Sequence, residues 1–484
     1  MNYSHYEPLS ALDDSFLELE DANTHMHIGS VGIFDAGPVA GPDGGLDIDR
    51  IRAVMERNIY RVPRYRQRLA RTPIAKHPIW IDDARFNLGY HIRHTHLPKP
   101  GDERQLKRLA GRLMSQQLDR GKPLWEMWVV EGLDGNRFAI VTKIHHCMID
   151  GVGSAELMGS VMKAVAEEGT DTAREPPPRW IPRPAPSPRE LFQSELRRRL
   201  GQPFAALAAL PRTVAHPLGA AAAAYDALGN LREALSTGLH QASPTPLNVD
   251  IGPHRRFDWL AMDLAAVRAI KGRLGGTVND VVLAVLSGAL GRFFHQRGID
   301  VSRLDVRAML PVNIRSASDR DMGNRIASLV ARLPLAERNP RRRLEQVTAT
   351  TQLAKRSRQA AGMKLIEEIG DRTFTSLFVQ FARLAAQARP FNLIVTNVPG
   401  PSFPVYVLGA PMLACYPVVP LFRNQALGVA LFSYAGQLYW GFNADWDAIP
   451  DLHDLVAAVE REFGRLRDAA AAGDERGATA AVTG

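Results

Sequence analysis

Two adjacent histidines, His145 and His146, begin the segment best suited to acid–base chemistry, which reads HHCMIDG over 145–151. Histidine suits proton transfer near neutral pH because its unperturbed pKa is about 6.5 and a neighbouring group can fix either tautomer. Asp150 and Gly151 favour a turn, since glycine tolerates positive φ angles. The segment therefore predicts a histidine base followed by a tight loop.

The element before this segment is predicted to be the second strand of a β-hairpin. Two apolar runs, 126–133 and 138–144, flank a turn at 134–136, and a helix is predicted from Ser154. Successive side chains on a strand point to opposite faces, so His145 and His146 are not expected to face one substrate together. One histidine is predicted to be catalytic and the other supporting.

Metal binding is the alternative chemistry for these residues, because two histidines and an aspartate can ligate zinc or iron. Adjacent strand residues diverge, however, and no third ligand lies at helical i+4 spacing. A separate group, His91, His94 and His96, would contribute only through a long-range arrangement. Two cysteines, Cys147 and Cys415, are too few for a structural zinc site. The sequence favours proton transfer, with no metal.

The composition predicts a globular protein of more than one domain. The chain has 484 residues, 45% of them hydrophobic and 23% charged, which excludes the disordered and fibrous classes. A net charge of +8 favours anionic partners such as phosphate-bearing cofactors or acidic membranes. Nucleic acid is not expected as a partner, because the sequence shows no finger, RNP or P-loop motif.

A cytoplasmic location is expected, because the N-terminal segment is acidic and polar where a signal peptide needs a basic start and an apolar core. The apolar run 281–291 is too short to span a membrane, and the uncharged stretch 404–422 contains four prolines. Any membrane contact is therefore expected to be peripheral. Candidate contact segments are the arginine-rich stretch 194–236 and a basic segment comprising Arg61, Arg64, Arg66, Arg68 and Arg71.

The chain is predicted to divide into two α/β halves. An N-terminal domain covers 1–175, a proline-rich linker and helical crossover covers 176–245, and a C-terminal domain covers 246–468. The second half is predicted to contain a helix from 278 and strands near 305–312, 392–397 and 426–434. The final segment 469–484 lacks large apolar residues and is predicted to be a disordered tail. A cleft between the halves is the expected ligand site.

The segment HHCMIDG matches the HHxxxDG signature of CoA-dependent acyltransferases, and nearly all of the chain resembles the bacterial wax ester synthase/diacylglycerol acyltransferase family. HHxxxDG alone is shared with peptide-condensation domains and polyketide-associated acyltransferases, whereas the combination of motifs is more specific. The resemblance implies two chloramphenicol-acetyltransferase-like mixed-sheet domains with the active site between them. The other matching segments are 8–20 (PLSALDDSFLELE), 123–125 (PLW), 279–280 (ND), 311–315 (PVNIR) and 397–401 (NVPGP).

The implied activity is transfer of a fatty acyl group from acyl-CoA to diacylglycerol or to a long-chain alcohol. The implied partners are acyl-CoA and a hydrophobic alcohol, with no bound cofactor, and peripheral contact with the inner membrane face or lipid inclusions. Two alternatives remain open. One is an acyltransferase for another alcohol, such as a polyketide or sugar hydroxyl, and the other is a non-catalytic coat protein of lipid inclusions.

The resemblance also implies roles for the residues of the HHxxxDG motif. His146 would be the general base that takes the proton from the acceptor hydroxyl, and His145 would shape the site. Asp150 belongs to the signature but would hold the loop through an arginine ion pair, with Arg315 as the candidate partner. Gly151 is expected beside the substrate.

Two interpretations remain open for Asn279 and Asp280. Thr277 and Asp280 have the spacing of a capping box, so the pair serves on one view only to begin a helix. On the other view, Asn279 and the helix N-terminus stabilise a developing oxyanion. Trp125 is expected to support the site by packing, and the 397–401 segment is expected to form a tight loop.

Overall fold

The protein is described by a computed structural model that covers residues 6–60, 62–148, 162, 164, 180–196, 241–313, 326–356 and 390–482. The strands are β1 (Glu7–Pro8), β2 (His27–Asp35), β3 (Gln67–Arg71), β4 (Pro78–Asp82), β5 (Ile92–His96), β6 (Trp125–Leu133), β7 (Arg137–His145), β8 (Arg255–Asp263), β9 (Val306–Asn313), β10 (Ile326–Leu333), β11 (Leu393–Pro399), β12 (Tyr406–Val407), β13 (Ala410–Val418), β14 (Leu427–Tyr434) and β15 (Gln437–Asp445). The α-helices are α1 (Ala11–Leu19), α2 (Ile48–Ile59), α3 (Leu88–His91), α4 (Glu103–Met114), α5 (Leu264–Leu274), α6 (Val278–Gln296), α7 (Pro340–Arg356) and α8 (Leu452–Val482).

In this part of the chain the strands form two six-stranded mixed sheets and one three-stranded sheet. The N-terminal sheet has the order β12-β13-β2-β7-β6-β5, and the C-terminal sheet has the order β10-β9-β11-β14-β15-β8. Both sheets mix antiparallel pairs with parallel ones, such as β5 with β6 and β11 with β14. The prediction of an α/β fold with two mixed sheets is confirmed.

The predicted β-hairpin is confirmed as β6 and β7, which pair antiparallel, and Asn136 in the turn has a φ of 55°. β7 also pairs with β2 over all nine residues of each strand. α4 packs on one face of this sheet through a stripe of buried apolar residues that includes Leu106, Leu113 and Met114. β7 is thus a central strand, and its end carries the histidine pair.

The assignment of all of 246–468 to the C-terminal domain is wrong for β12 and β13, which belong to the N-terminal sheet. β13 pairs antiparallel with β2, with Met412 opposite Phe34 and Val418 opposite Gly29. The composition of 404–422 did not reveal this, because pairing between distant strands leaves no local signal. Gly441 of β15 allows β13 to pass close to the C-terminal sheet, since a Cβ there would lie 1.8 Å from the Pro417 carbonyl oxygen.

The C-terminal lobe is built around α6, whose residues from Asp280 to Gly291 are all buried. The predicted helix from 278 is confirmed, as are the three strands predicted near 305–312, 392–397 and 426–434, which are β9, β11 and β14. α7 and α8 both pack against α6. An apolar helix enclosed in this way is typical of a domain core.

The prediction of a disordered tail over 469–484 is wrong as far as Val482, where α8 ends. Alanine has the highest helix propensity, so an alanine-rich segment extends a helix without large apolar side chains. No single helix of the described residues is long and apolar enough to cross a membrane. α5 and α6 meet that criterion only together, and they are bent by 96°. The predicted helix from Ser154 and most of 194–236 lie outside the described residues.

Candidate active site

His146 lies directly after β7, in a short 3₁₀ helix that covers His146–Met148. Its backbone N–H donates to the Met26 carbonyl at 2.8 Å. Its ring stacks on Phe16 of α1, with 3.9 Å between the ring centroids and 28° between the planes. α1 is itself fixed at its start by Ser10, whose hydroxyl accepts from the Asp13 N–H at 3.1 Å. His146 is therefore held by ring stacking and by its backbone.

The environment of His146 keeps its imidazole neutral. Burial, with a smaller contribution from the neighbouring His145, lowers the pKa of His146 to about 4. Nδ1 is buried and has no hydrogen-bond partner among the described residues. A neutral imidazole with one enclosed nitrogen has only Nε2 left to accept a proton from a substrate.

His145 lies on the opposite face of the sheet and is completely buried. Its Nδ1 accepts from the Cys147 backbone N–H at 3.1 Å and lies 3.0 Å from the Cys147 sulfur. Its proton is therefore on Nε2, which faces the Glu20 carboxylate at 3.5 Å. Burial raises the pKa of the Cys147 thiol well above its ordinary value, so the thiol stays protonated.

Glu20, immediately after α1, forms the centre of a buried polar group behind the histidine pair. One carboxylate oxygen accepts from Arg120 Nε at 3.0 Å and Nη2 at 2.7 Å, and the other lies 3.3 Å from His27 Nε2. Burial alone would raise the pKa of Glu20, but the neighbouring His145 and His27 outweigh burial and hold the pKa below its usual range. Burial lowers the pKa of His27 to about 3.

Asp280 acts as the sequence predicts for a capping residue. Thr277 Oγ1 accepts from the Asp280 N–H at 3.2 Å, and Asp280 Oδ2 accepts from the Thr277 N–H at 2.7 Å. The other carboxylate oxygen accepts from the Thr351 hydroxyl at 2.6 Å. Both oxygens are therefore engaged within the C-terminal lobe.

Asn279, at the N-terminus of α6, pairs with a residue of the NVPGP segment. Its Oδ1 accepts from Asn397 Nδ2 at 2.7 Å, which leaves the Asn279 amide N–H₂ as a donor. The described contacts do not join Asn279 to His146, whose neighbours Phe16 and Met26 lie in the N-terminal lobe.

Trp125 lies in the core, only 2% exposed, at the start of β6. Its indole N–H donates to the Tyr65 carbonyl at 2.8 Å, and its ring stacks on His91 with 4.6 Å between centroids. Three further predicted site residues, Asp150, Gly151 and Arg315, lie outside the described residues.

An apolar cavity lies on the face of the N-terminal sheet that is opposite His145. It has about 810 Å³ of empty space, counting its open side. Alternate β7 residues, Ile140, Thr142 and Ile144, form one wall, and α2 forms another. The β7 row reaches to within two residues of His146. Other lining residues are Ser30, Gly32, Phe34, Trp125, Met412 and Cys415.

A second, wider groove lies between α4 and the start of β8, with about 1270 Å³ of empty space counting its open side. The side chains that line it include three arginines, two histidines and the exposed Trp446, and none of them is acidic. Arg108 and Arg112 are exposed on successive turns of α4, and no carboxylate of the described residues pairs with them. The groove is therefore a cationic surface.

Two arginines of the predicted basic segment, Arg64 and Arg66, are engaged within the N-terminal lobe. Arg64 pairs with Glu7 at 2.8 Å and lies over the Trp80 ring, and Arg66 is only 7% exposed. Arg61 lies outside the described residues. Sequence spacing alone does not distinguish paired or buried arginines from exposed ones.

No group of three metal-ligating side chains occurs among the residues that the structure describes. His91 and His94 each have a separate partner. His91 Nδ1 lies 2.8 Å from the Trp125 carbonyl, and His94 Nε2 lies 2.9 Å from Glu131.

Sequence reasoning gave no role to Phe16, Glu20, His27 or Arg120. Phe16 and Glu20 fall in the 8–20 segment, which contributed only to the family resemblance. No local signal distinguishes Glu20 from the neighbouring Glu18 and Asp21, because its partners lie far away in the sequence.

Two family models match the chain. The wax ester synthase/diacylglycerol acyltransferase catalytic domain matches residues 9–282, and the C-terminal domain of the same family matches residues 322–467. A Mycobacterium tuberculosis protein named as a diacylglycerol O-acyltransferase is 32% identical over 469 residues, covering 95% of each chain.

A solved structure of the same family also matches the chain. The wax ester synthase/diacylglycerol acyltransferase from Marinobacter aquaeolei VT8 superposes with a TM-score of 0.68 at 26% identity, covering 96% of this chain and all of the other. The first condensation domain of the CDA synthetase superposes with a TM-score of 0.56 at 17% identity, covering 97% of each chain. That second likeness is one of fold alone.

Proposed function

Because the chain belongs to the wax ester synthase/diacylglycerol acyltransferase family, we propose that it transfers a long-chain fatty acyl group from acyl-CoA to diacylglycerol, a long-chain alcohol, or both. It is an acyltransferase, and acyl-CoA and an alcohol are its substrates. The observation that supports His146 as the base is its neutral imidazole at the end of the strand whose alternate residues line the apolar cavity.

The reaction needs one proton to pass from the acceptor hydroxyl to His146 and then to the CoA thiolate. Nε2 of His146 takes the proton of the acceptor hydroxyl as that oxygen attacks the thioester carbonyl. The tetrahedral intermediate then collapses, the carbon–sulfur bond breaks, and the imidazolium returns the proton to the CoA thiolate. General base catalysis of this kind typically contributes about 10²- to 10⁴-fold.

The negative charge on the former carbonyl oxygen needs a donor. We assign Asn279 to this role, because Asn397 occupies its amide oxygen and leaves its N–H₂ free, and because the N-terminus of α6 carries partial positive charge. Asp280 and Trp125 support the site through capping and packing, and the general-base route requires no metal or bound cofactor. Asp150, Gly151 and Arg315 keep the roles that the family resemblance implies.

The test is acceptor-dependent CoA release from palmitoyl-CoA with diacylglycerol or hexadecanol, measured for the wild type and His146→Ala, with lipid products resolved. We expect release in the wild type and its loss in the variant. His94→Ala is the matched control, because His94 pairs with Glu131 at a sheet edge. A folded His146→Ala protein with wild-type turnover would contradict the base assignment.

The same assay separates the alternatives. Release that depends only on a sugar or polyketide alcohol would keep the chemistry and change the acceptor. Flotation with lipid droplets without CoA release from any acceptor would favour a coat protein, but the neutral base and adjoining cavity favour catalysis.

We also propose a cytoplasmic enzyme that binds peripherally to the inner membrane face or to lipid inclusions through the cationic groove. Arg104, Arg108 and Arg112 are exposed at i, i+4 and i+8 of α4, and such arginines attract anionic lipid headgroups. Arg256 stacks over the exposed Trp446 at 3.6 Å, and tryptophan is common where protein meets a membrane surface.

Vesicle flotation tests this contact. We expect binding to phosphatidylglycerol vesicles but not to phosphatidylcholine vesicles, and a loss of binding of roughly thirtyfold or more in Arg108→Glu/Arg112→Glu, because each basic residue contributes about 1 kcal/mol at an anionic surface. Arg268→Glu/Arg303→Glu makes the same charge change at exposed positions elsewhere. Equal loss in both double variants would show that net charge, not the groove, is responsible.

A further inference from the structure

Glu20 is a buried carboxylate that the proposed reaction does not use directly. Its side chain is 2% exposed and is held by both Arg120 contacts on one oxygen. Burying a charged group costs free energy, so a buried carboxylate is normally paired with specific polar or charged groups. His145 lies 3.5 Å from that same oxygen and His27 lies 3.3 Å from the other.

His145 connects Glu20 to the turn that carries the base. Its Nδ1 accepts the Cys147 N–H, so the ring must carry its proton on Nε2, the nitrogen that faces Glu20. The opposite tautomer would bring two N–H donors together at Cys147 and would leave Nε2 as an acceptor facing a carboxylate. Both ends of the ring therefore require the same tautomer, and the negative charge of Glu20 favours it.

The Cys147 contact matters because it closes the 3₁₀ turn that follows the strand. His145 is the last residue of the strand and stays on the α4 side of the sheet. His146 leaves the strand and stacks on Phe16. Phe16 and Glu20 are on and directly after the same helix, α1. One short segment thus contacts both histidines of the pair, through a ring stack on one and a charge on the other.

We propose that Glu20 is a positioning residue for acyl transfer, whose carboxylate fixes the Nε2–H tautomer of His145 and thereby the turn that presents His146 to the substrate. The proposal rests on the proposed function of His146. Arg120 has the supporting role of holding the carboxylate in place, since paired N–H donors on one carboxylate fix its orientation.

Glu20→Gln is the direct test, because it removes the charge and keeps the size. We expect kcat to fall by roughly 10- to 100-fold, since small misplacements of a catalytic group have effects of that order, while KM for palmitoyl-CoA stays within about twofold. Glu131→Gln is the matched control. It removes a carboxylate 2.9 Å from His94 in the same sheet, and it should leave kcat unchanged.

The tautomer of His145 gives a readout that a loss of stability would not change. Nitrogen-15 spectra of histidine-labelled protein, assigned with His145→Gln, should show Nδ1 unprotonated in the wild type and a mixture of tautomers in Glu20→Gln. Glu20→Asp keeps the charge but withdraws it by one methylene, and it should recover part of the lost kcat. This variant also serves if Glu20→Gln does not fold.

The outcomes are distinguishable from failure of the proposed function. A wild type that releases no CoA with any acceptor overturns the function, whereas the nitrogen spectra still report on the tautomer. A folded Glu20→Gln or Glu20→Asp protein with wild-type kcat and an unchanged His145 tautomer overturns the positioning role.

Discussion

His145 and His146 differ in what surrounds them more than in where they lie in the sequence. His145 has a carboxylate, a backbone donor and a thiol around its ring, whereas His146 has a stacked phenyl ring and an enclosed Nδ1 without a partner among the described residues. Among the described residues, no carboxylate contacts the His146 imidazole to raise its basicity. Its low pKa makes it a weaker base, but one that is unprotonated over a wide pH range.

This low pKa predicts an unusual acid limb in the pH profile. Only the neutral imidazole accepts a proton, so activity is lost as the pH falls through the pKa of His146. With that pKa lowered to about 4, kcat/KM should stay level from pH 7 to about pH 5 and fall near pH 4. The measurement is thioester absorbance loss between pH 4 and 8, with circular dichroism at each pH to show that the protein remains folded. A limb near pH 6.5 would contradict the burial of His146.

The alternation of side chains along a strand predicted different environments for the two histidines, although the strand ends at His145 and His146 lies in the 3₁₀ turn that follows. The contacts made by Phe16, Glu20 and His27 could not be predicted, because they depend on how α1 and β2 pack against the end of β7. A sequence shows which residue types are present, but pKa values depend on burial and on neighbours brought together by folding.

β7 connects the cavity to the site, because its alternate residues form the cavity wall and its last residue precedes His146. A hydrocarbon chain lying along this row would have its reactive end near the base. The order of β6, the turn and β7 was predictable, since each has a local pattern of apolar and turn residues. The cavity was not, because much of its wall comes from α2, β2 and β13.

Narrowing the cavity near His146 should change chain-length preference. Ile144→Trp adds volume at the end of the β7 row and should reduce turnover of sixteen-carbon substrates by roughly tenfold or more, with less effect on four-carbon substrates. Varying the acyl-CoA and the alcohol separately will show which chain the cavity holds. Ile144→Val, which leaves the cavity open, is the control. Unchanged preference for both substrates would mean that the cavity holds neither chain.

The two lobes do not correspond to two separate stretches of chain, because β13 completes the N-terminal sheet. The lobes also meet closely elsewhere. Tyr416 stacks on Trp259 with 4.7 Å between centroids, and a Cβ at Gly111 would lie 2.9 Å from the Arg255 carbonyl oxygen. Two sequence-contiguous domains were predicted from the proline-rich linker, which marks a break in local structure but carries no information about strand exchange.

The exchanged strand predicts that the N-terminal lobe does not fold alone. Residues 1–245 lack β13, so β2 would present an unpaired edge, which is an aggregation hazard. We expect this fragment to be insoluble when expressed by itself and soluble when co-expressed with 246–484. Calorimetry of the whole chain should show a single transition. A soluble fragment 1–245 with native-like circular dichroism would show that β13 is dispensable.

The pairing of β2 with β13 also affects how the protein is made. β2 leaves the ribosome near the beginning of synthesis and β13 near its end, so at about 5 to 20 residues per second the edge of β2 waits roughly 20 to 80 s for its partner. Chaperones that shield exposed strands therefore have a long interval in which to act on the nascent chain. Yield in cells should depend on their supply more than the stability of the finished protein would suggest.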